Sequence, residues 1–328
     1  MSVLDHNLSK GLLSSCNLFL EGILTMLVDI KSTLFGIFKE KIPNLKIRMK
    51  ACYFGAEVLD LSLSRPLEEG LVREIKSALD VFGVLVFKNQ VLSNREQLGF
   101  AEQLSDCLHR KTGVSTIAAN RYGDEALTDV SNLGPDGRVL AVDDRRRQYG
   151  LSNRLWHTDA SFQDPPGRYS MLSAKIVPKD GGETEFANTR DAYYMLPKKT
   201  KDRICGLKAH HSIAYSREIL GFEFSLEEAD RLKGVRQPLV RENSRTNLRS
   251  LYIASHCSSI VGLSSPDGRI LIRDLIDHCT QESLIYRHSW QKDDFVIWDN
   301  FATMHRGLAY DDLVSPRELV RVTTLEEQ

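Results

Sequence analysis

The sequence predicts an α+β protein whose core is a β-sandwich or jelly roll with helices inserted between its strands. Many short segments are rich in β-branched and aromatic residues, and turn residues separate them, which is typical of strands. A few longer segments carry apolar residues at helical spacing. No internal repeat or low-complexity segment is present, and 328 residues with 42% hydrophobic side chains can bury a sizeable core.

Residues 1–50 differ from the rest, and we predict a helical extension followed by a linker. Leu12–Phe38 is rich in Leu, Ile, Phe and Met, but charged residues such as Glu21 interrupt it, so its apolar run is too short to span a membrane. We expect a helix that packs on the main domain. A helix that lies on a membrane surface or targets the chain is the disfavoured alternative, and an unstructured extension is the third. The lysine-rich stretch Lys39–Lys50 is interpreted as a solvated linker.

From residue 51 to residue 328 the pattern is that of one compact domain. Its first helix is predicted from the spacing of Leu71, Ile75 and Leu79, and the second from the capping-box pair Ser93 and Glu96. The predicted elements up to residue 104 are strand Phe54–Leu63, helix Pro66–Phe82, strand Gly83–Phe87 and helix Ser93–Leu104.

The second part of the domain alternates strands, helices and polar loops. The predicted strands are Ala126–Val130, Tyr169–Val177, Glu183–Asn188, Arg249–Ala254 and Asp294–Trp298. The predicted helices are Thr189–Leu196, Lys198–Ile204, Leu226–Leu232 and Gly268–Thr280. The charged cluster Asp143–Arg147 lies in a loop-like stretch, and we interpret it as a solvated surface in preference to an anion site.

Composition excludes several classes of protein. A formal charge of −1 and a pI near 6.8 provide no electrostatic footprint for nucleic acid. The six cysteines form no CxxC pair, which indicates free thiols in a reducing compartment, and we expect a cytoplasmic protein. The pairs His256-Cys257 and His278-Cys279 lack the spacing of a tetrahedral zinc site.

The segment Leu155–Asp159, Leu-Trp-His-Thr-Asp, contains the first candidate ligands of a metal. In a strand, residues two apart point to the same face, so His157 and Asp159 would project together. An imidazole and a carboxylate presented in this way are two thirds of the facial triad that holds Fe(II) and leaves positions open. His305, which follows a strand-like run that starts at Phe295, is the candidate third ligand.

Two arginines close to the end of the sequence are candidate anchors for an acidic co-substrate. Arg317 and Arg321 stand four residues apart. A guanidinium binds a carboxylate through two parallel charge-assisted hydrogen bonds, which suits such an anchor. The alternative is that both are surface residues of a basic terminal strand.

Five ordered motifs run through the second half of the chain: Trp156-His-Thr-Asp, Gly181-Gly-Glu-Thr-Glu-Phe, Trp298-Asp-Asn, Met304-His-Arg-Gly and Pro316-Arg-Glu-Leu. Together they resemble the motifs of the taurine/2,4-dichlorophenoxyacetate dioxygenases, and the resemblance extends from about Gly55 to Leu325. It is closer to the 2,4-dichlorophenoxyacetate branch, through Asp129-Val-Ser-Asn, Arg168-Tyr-Ser-Met-Leu-Ser and Tyr286-Arg-His-Ser-Trp. It implies a double-stranded β-helix, a form of jelly roll, with flanking and inserted helices.

The resemblance also implies residue roles. His157, Asp159 and His305 would bind iron. Arg317 would pair with the distal carboxylate of 2-oxoglutarate, and the hydroxyl of Thr184 would hydrogen-bond the same carboxylate. Three further side chains would lie near the co-substrate or the substrate: Arg321, Ser161 and His211.

The implied reaction hydroxylates a small, carboxylate-bearing substrate with O2, while 2-oxoglutarate becomes succinate and CO2 and ascorbate supports activity. An aryloxyalkanoate similar to 2,4-dichlorophenoxyacetate, hydroxylated beside its ether oxygen, would collapse to a phenol and an oxo acid. The alternatives are a tailoring oxygenase that hydroxylates or desaturates a biosynthetic intermediate, and a catalytically silent binding protein. The oligomeric state stays open, with self-association through the N-terminal segment as one option.

Overall fold

The structure is a computed structural model that describes residues 36, 40–49, 54–110 and 121–327. The helix predicted over Leu12–Phe38 lies, apart from Gly36, outside these residues. Within the described part of the chain, no helix has the length and apolar character needed to cross a membrane.

The described residues contain fifteen strands: β1 (Lys46–Met49), β2 (Ala56–Leu59), β3 (Val84–Phe87), β4 (Thr128–Ser131), β5 (Gly167–Ile176), β6 (Thr184–Asn188), β7 (Lys208–His211), β8 (Val235–Pro238), β9 (Val240–Glu242), β10 (Arg249–Leu251), β11 (Cys257–Ile260), β12 (Ile285–His288), β13 (Phe295–Asp299), β14 (Thr303–Gly307) and β15 (Glu318–Leu325). A seven-stranded sheet has the order β1-β2-β3-β13-β5-β15-β4, and its pairs are antiparallel except for β2 with β3. Three smaller sheets have the orders β12-β6-β14, β11-β7-β8 and β10-β9.

Eight α-helices of the described residues flank or connect these strands: α1 (Glu69–Phe82), α2 (Asn94–Leu104), α3 (Arg145–Gly150), α4 (Thr189–Met195), α5 (Lys198–Ile204), α6 (Ile213–Glu218), α7 (Leu226–Arg231) and α8 (Ser265–Cys279). Short 3₁₀ turns cover Leu151–Arg154 and Glu282–Leu284. The predicted capping box opens α2, because Ser93 Oγ accepts from the Glu96 amide at 3.3 Å and the Glu96 carboxylate accepts from the Ser93 amide at 2.7 Å.

The seven-stranded sheet is covered on both faces, which explains why β3 is a continuous apolar run. Leu85 and Phe87 point into the core cluster that includes α1 and α2. Val84 and Val86 point to the opposite face, into a cluster that also contains Phe186 of β6. Alternate residues of one strand therefore enter two cores, as the two-residue period requires. The predicted jelly-roll core with flanking helices is confirmed.

Polar residues of the sequence motifs meet in the space between the seven-stranded sheet and the β12-β6-β14 sheet. On β15, Val320 and Val322 enter the helix-side core, whereas Leu319 enters the cluster between the sheets. Arg321 is two residues from Leu319 and therefore faces the same inner side. On the smaller sheet, His305 of β14 pairs with Phe186 of β6. The inner face thus collects side chains from both sheets.

The structure differs in part from two sequence predictions about charged stretches. Lys46–Met49, inside the predicted linker, is strand β1 and pairs with β2; its alternating charges suit an edge strand whose Ile47 packs on the core. The cluster Asp143–Arg147 is also not simply solvated. It leads into α3, and Arg147, with only 13% of its side chain exposed, forms an ion pair with Asp312 at 3.1 Å.

Candidate active site

Three ligand-type side chains meet on the inner face of the fold. One ligand atom each from His157, Asp159 and His305 lies within 4.8 Å of the other two, and all three residues are buried. His305 Nε2 is 3.6 Å from Asp159 Oδ2, and the two imidazole centroids are 4.1 Å apart. Among the described residues, this is the one group of three or more His, Cys, Asp or Glu with the geometry of a metal site.

The local structure that presents the triad differs from the predicted strand over Leu155–Asp159. His157 forms an isolated backbone bridge with His305, through N–H···O bonds of 2.9 and 2.8 Å. Asp159 already lies in a turn, where the Asn300 side-chain oxygen accepts from its amide at 3.0 Å. The extended geometry holds at His157 but not at Asp159, where the Asn300 side chain and not a neighbouring strand binds the backbone.

Electrostatics leave the triad ready to donate lone pairs. His157 Nδ1 lies 2.7 Å from the Leu155 carbonyl, which can only accept, so Nδ1 carries the proton and Nε2 is free. Burial lowers the pKa of His157 to about 4, and burial lowers that of His305 well below its usual value. Burial opposes ionisation of Asp159, but Arg321 and the two histidines outweigh it and bring its pKa to about 2.

One oxygen of Asp159 is already bonded and the other is not. Arg321, on β15, donates from Nη1 to Asp159 Oδ1, whereas Asp159 Oδ2 is buried without a hydrogen-bond partner. A buried polar atom without a partner is costly, and a metal ion is one way to satisfy it. The structure thus brings Arg321 to a triad residue, beside the cavity where the sequence analysis placed it.

The triad borders a cavity of about 310 Å³. Apolar parts of its wall come from the seven-stranded sheet and from the segments between β4 and β5 and between β7 and β8: Val130, Leu133, Leu140, Leu151, Phe162, Leu172, Ile213, Leu232 and Trp298. Thr184 and Arg317, the two residues that the resemblance assigns to 2-oxoglutarate, also line it. An apolar cavity of this size with a few convergent polar groups is typical of a small-molecule site.

Arg317 and Thr184 are both buried, and both have hydrogen-bonding capacity left over. Arg317 donates to the Gly182 carbonyl at 3.2 Å, its Nε has no partner, and burial lowers its pKa to about 10. Thr184 Oγ1 accepts from Trp290 Nε1 at 2.9 Å, which leaves the hydroxyl proton to donate. Gly181, which precedes β6, lets the backbone approach Ala309, since a Cβ at position 181 would lie 2.7 Å from the Ala309 carbonyl oxygen.

The structure does not bring Ser161 and His211 to the cavity surface. Both side chains are fully buried, and Ser161 Oγ and His211 Nδ1 are 2.9 Å apart. His211 Nε2 lies 3.3 Å from Cys257 Sγ, and burial lowers the pKa of this histidine to about 3. Ser161 lies in the turn that carries Asp159, and His211 is the last residue of β7.

The sequence analysis missed several residues that line the cavity. Arg146, Arg147, Arg217 and His256 all belong to the cavity wall. The His256 ring lies 5.8 Å from that of His157. No spacing signal connects these residues to the triad, because they come from connecting segments whose positions depend on tertiary packing.

Comparisons with known proteins agree with this geometry. The family described as taurine catabolism dioxygenase TauD, TfdA family matches residues 44–323. The chain is 39% identical over 275 residues to the alpha-ketoglutarate-dependent 2,4-dichlorophenoxyacetate dioxygenase of Cupriavidus pinatubonensis, which covers 84% of this chain and 95% of that one. It is 30% identical over 276 residues to pentalenolactone F synthase of Streptomyces arenae, covering 78% of this chain and 87% of that one.

A solved structure is similar throughout the described core. The crystal structure of AAD-2 in complex with Mn(II) and N-oxalylglycine superimposes with a TM-score of 0.82 at 41% sequence identity. The match covers 87% of this chain and 98% of the AAD-2 chain.

Proposed function

Because the chain belongs to the taurine catabolism dioxygenase TauD, TfdA family, we propose that it uses Fe(II) and O2 to oxidise a small carboxylate-bearing substrate. It is an oxidoreductase dependent on 2-oxoglutarate and a metal, acting on a small molecule. The single observation that carries the proposal is the buried His157, Asp159, His305 group beside a cavity lined by Arg317, which has no carboxylate partner among the described residues.

The three residues of the triad fit a divalent metal. Two neutral imidazoles and one carboxylate are the donor set of Fe(II) oxygenases, and Asp159 Oδ2 has no other partner. The Leu155 carbonyl orients His157 by accepting from Nδ1, and Arg321 orients Asp159. When bound, Fe(II) with O2 and 2-oxoglutarate supplies the oxidising chemistry, and 2-oxoglutarate leaves as succinate and CO2.

Arg317 and Thr184 fit the distal carboxylate of 2-oxoglutarate. A buried guanidinium without a carboxylate partner offers parallel N–H donors, and the Thr184 hydroxyl adds a third donor from the neighbouring sheet. Trp290 fixes the orientation of the Thr184 side chain by donating to its oxygen. The two residues would therefore hold the co-substrate before oxygen reacts.

Substituting Thr184 with valine tests this assignment at constant shape. A hydrogen bond to a charged group contributes about 1.5–3 kcal/mol, so the Kd for 2-oxoglutarate should rise roughly 10- to 100-fold. Calorimetric titration of the oxygen-free Mn(II) protein measures it. Thr184→Ser, which keeps the hydroxyl, should stay within about threefold of the wild type. Equal affinities in the serine and valine variants would remove the hydroxyl from the 2-oxoglutarate site.

The proposed substrate is an aryloxyalkanoate or a similar carboxylate with an apolar body. The relative from Cupriavidus pinatubonensis acts on 2,4-dichlorophenoxyacetate, and it is more similar to this chain than the Streptomyces synthase is. The apolar cavity wall suits an aromatic ring. Hydroxylation beside the ether oxygen gives a hemiacetal, which breaks its C–O bond to release a phenol and an oxo acid.

A substrate screen with succinate as the readout tests the function. The purified protein with Fe(II), 2-oxoglutarate and ascorbate should form succinate and a phenol from 2,4-dichlorophenoxyacetate or a phenoxypropionate. His157→Ala should reduce succinate formation by at least about 100-fold. No succinate with any carboxylate of the panel would argue against the proposed substrate class, and unchanged activity in His157→Ala would argue against the metal assignment.

The finer parts of the sequence analysis remain predictions. The metal as Fe(II), O2 as the oxidant and ascorbate as a supporting reductant need the assay above. The cytoplasmic location rests on free cysteines, of which Cys107, Cys205, Cys257 and Cys279 are unpaired in the structure.

A further inference from the structure

The cavity wall contains seven arginines, and their partners divide them into two groups. Five form ion pairs with carboxylates of described residues: Arg146 with Asp144, Arg147 and Arg154 with Asp312, Arg231 with Glu227, and Arg321 with Asp159. The other two, Arg217 and Arg317, have no such ion pair within the described part of the chain. Arg317 is the proposed anchor of 2-oxoglutarate, so Arg217 is left without an assigned partner.

Arg217 is buried as deeply as a core residue. It lies on α6, is 5% exposed, and its guanidinium carbon lies 4.5 Å from the centre of the Tyr149 ring. Nη1 donates to Ser216 Oγ at 2.8 Å, and the buried Nε has no hydrogen-bond partner. Asp159 attracts this guanidinium from beyond ion-pair distance, but that carboxylate already pairs with Arg321. A buried cation without an anion is costly, which indicates that a ligand supplies the anion.

The position of Arg217 relative to the triad fits a substrate contact. Ser216 Oγ donates to the Ile213 carbonyl at 2.9 Å, so His256 Nδ1, 2.9 Å from the same oxygen, must donate to it. Ser216 thereby fixes both Arg217 and His256, and the His256 ring packs near His157. Arg317 instead donates to the Gly182 carbonyl and lies over the Tyr310 ring. The two unpaired arginines therefore serve different parts of the cavity.

We propose that Arg217 binds the anionic group of the organic substrate, and so forms a second anion site apart from the 2-oxoglutarate anchor. This rests on the proposed function. Arg321, which the sequence analysis places near the co-substrate or the substrate, has its charge matched by Asp159. An anion on Arg217 would leave the apolar body of the substrate against Phe162, Ile213 and Leu232, which line the same cavity.

Charge-selective binding tests the proposal. The probes are 2,4-dichlorophenoxyacetate and its uncharged primary amide, titrated into oxygen-free protein loaded with Mn(II) and 2-oxoglutarate. Arg217→Gln should weaken binding of the acid about 10- to 100-fold and that of the amide less than about threefold. Arg217→Lys, which keeps the charge, should fall between the wild type and the glutamine variant. The Kd for 2-oxoglutarate should change less than about threefold, which shows that the site is folded.

Arg269→Gln is the matched control. This exposed arginine of α8 donates at 2.9 Å to Tyr215 of α6, the helix that carries Arg217, but it does not line the cavity. It should bind the acid like the wild type. Acid affinity unchanged in Arg217→Gln, or equal losses for the acid and the amide, would overturn the role of Arg217. Wild-type protein that binds neither probe and forms no succinate would instead refute the proposed substrate class, and the inference would fall with it.

Discussion

Asp159→Ala is expected to abolish succinate formation and to weaken metal binding by more than about 100-fold. Loss of a residue that only orients a ligand commonly costs 10- to 100-fold in metal affinity, and Asp159 is the sole carboxylate of the triad. The substitution has a second effect, because it leaves Arg321 beside the site without its anion. That uncompensated positive charge repels a divalent cation. Mn(II) binding followed by electron paramagnetic resonance measures the loss directly.

A second substitution, at Arg321, separates the loss of a metal ligand from the loss of protein stability. An ion pair that loses one buried partner can destabilise a protein by about 3 kcal/mol, so Asp159→Ala should also lower the melting temperature of the metal-free protein. Asp159→Ala combined with Arg321→Met should recover much of that stability and still bind no metal. Asp136→Ala, in an exposed loop, should match the wild type in both respects. Metal bound tightly by the double variant would contradict the role of Asp159.

The parts of the site that the sequence predicts are those linked by short spacing or by strand period. Arg317, directly before β15, and Arg321, within β15, are four residues apart and both line the cavity. His157 and Asp159 are close in sequence, and one isolated backbone bridge brings His305 to them. In each case the residues are linked by short spacing or by a local backbone contact.

The parts that the sequence does not predict depend on tertiary contacts between distant segments. Nothing in the spacing indicates that Arg321 bonds Asp159, which makes Arg321 a neighbour of the triad as well as of the cavity. The Asn300 side chain replaces a strand ladder next to Asp159, so a pattern of alternating residues misleads there. Arg217 belongs to a short helix between β7 and β8, and only the fold brings it to the cavity.

Arg317→Met is expected to have two opposite effects, on ligand binding and on stability. A paired, charge-assisted contact with a carboxylate is lost, so the Kd for 2-oxoglutarate should rise by at least about 100-fold. In the protein without 2-oxoglutarate, the buried guanidinium has no anion, and burial alone lowers its pKa to about 10. Methionine fills similar space without that cost, so the ligand-free variant should melt at a higher temperature than the wild type.

Thermal unfolding with and without N-oxalylglycine separates the two effects of Arg317→Met. At a ligand concentration 1,000 times the wild-type Kd, the free energy of unfolding of the wild type should rise by about 4 kcal/mol. That of the variant should rise by almost nothing at the same concentration. Arg154→Met is the control, since Arg154 is partly exposed and pairs with Asp312. It should keep the ligand-induced gain and should not become more stable. A variant at position 317 that the ligand still stabilises fully would exclude Arg317 as the anchor. A ligand-free variant less stable than the wild type would show instead that the bond to Gly182 outweighs the cost of burying the charge.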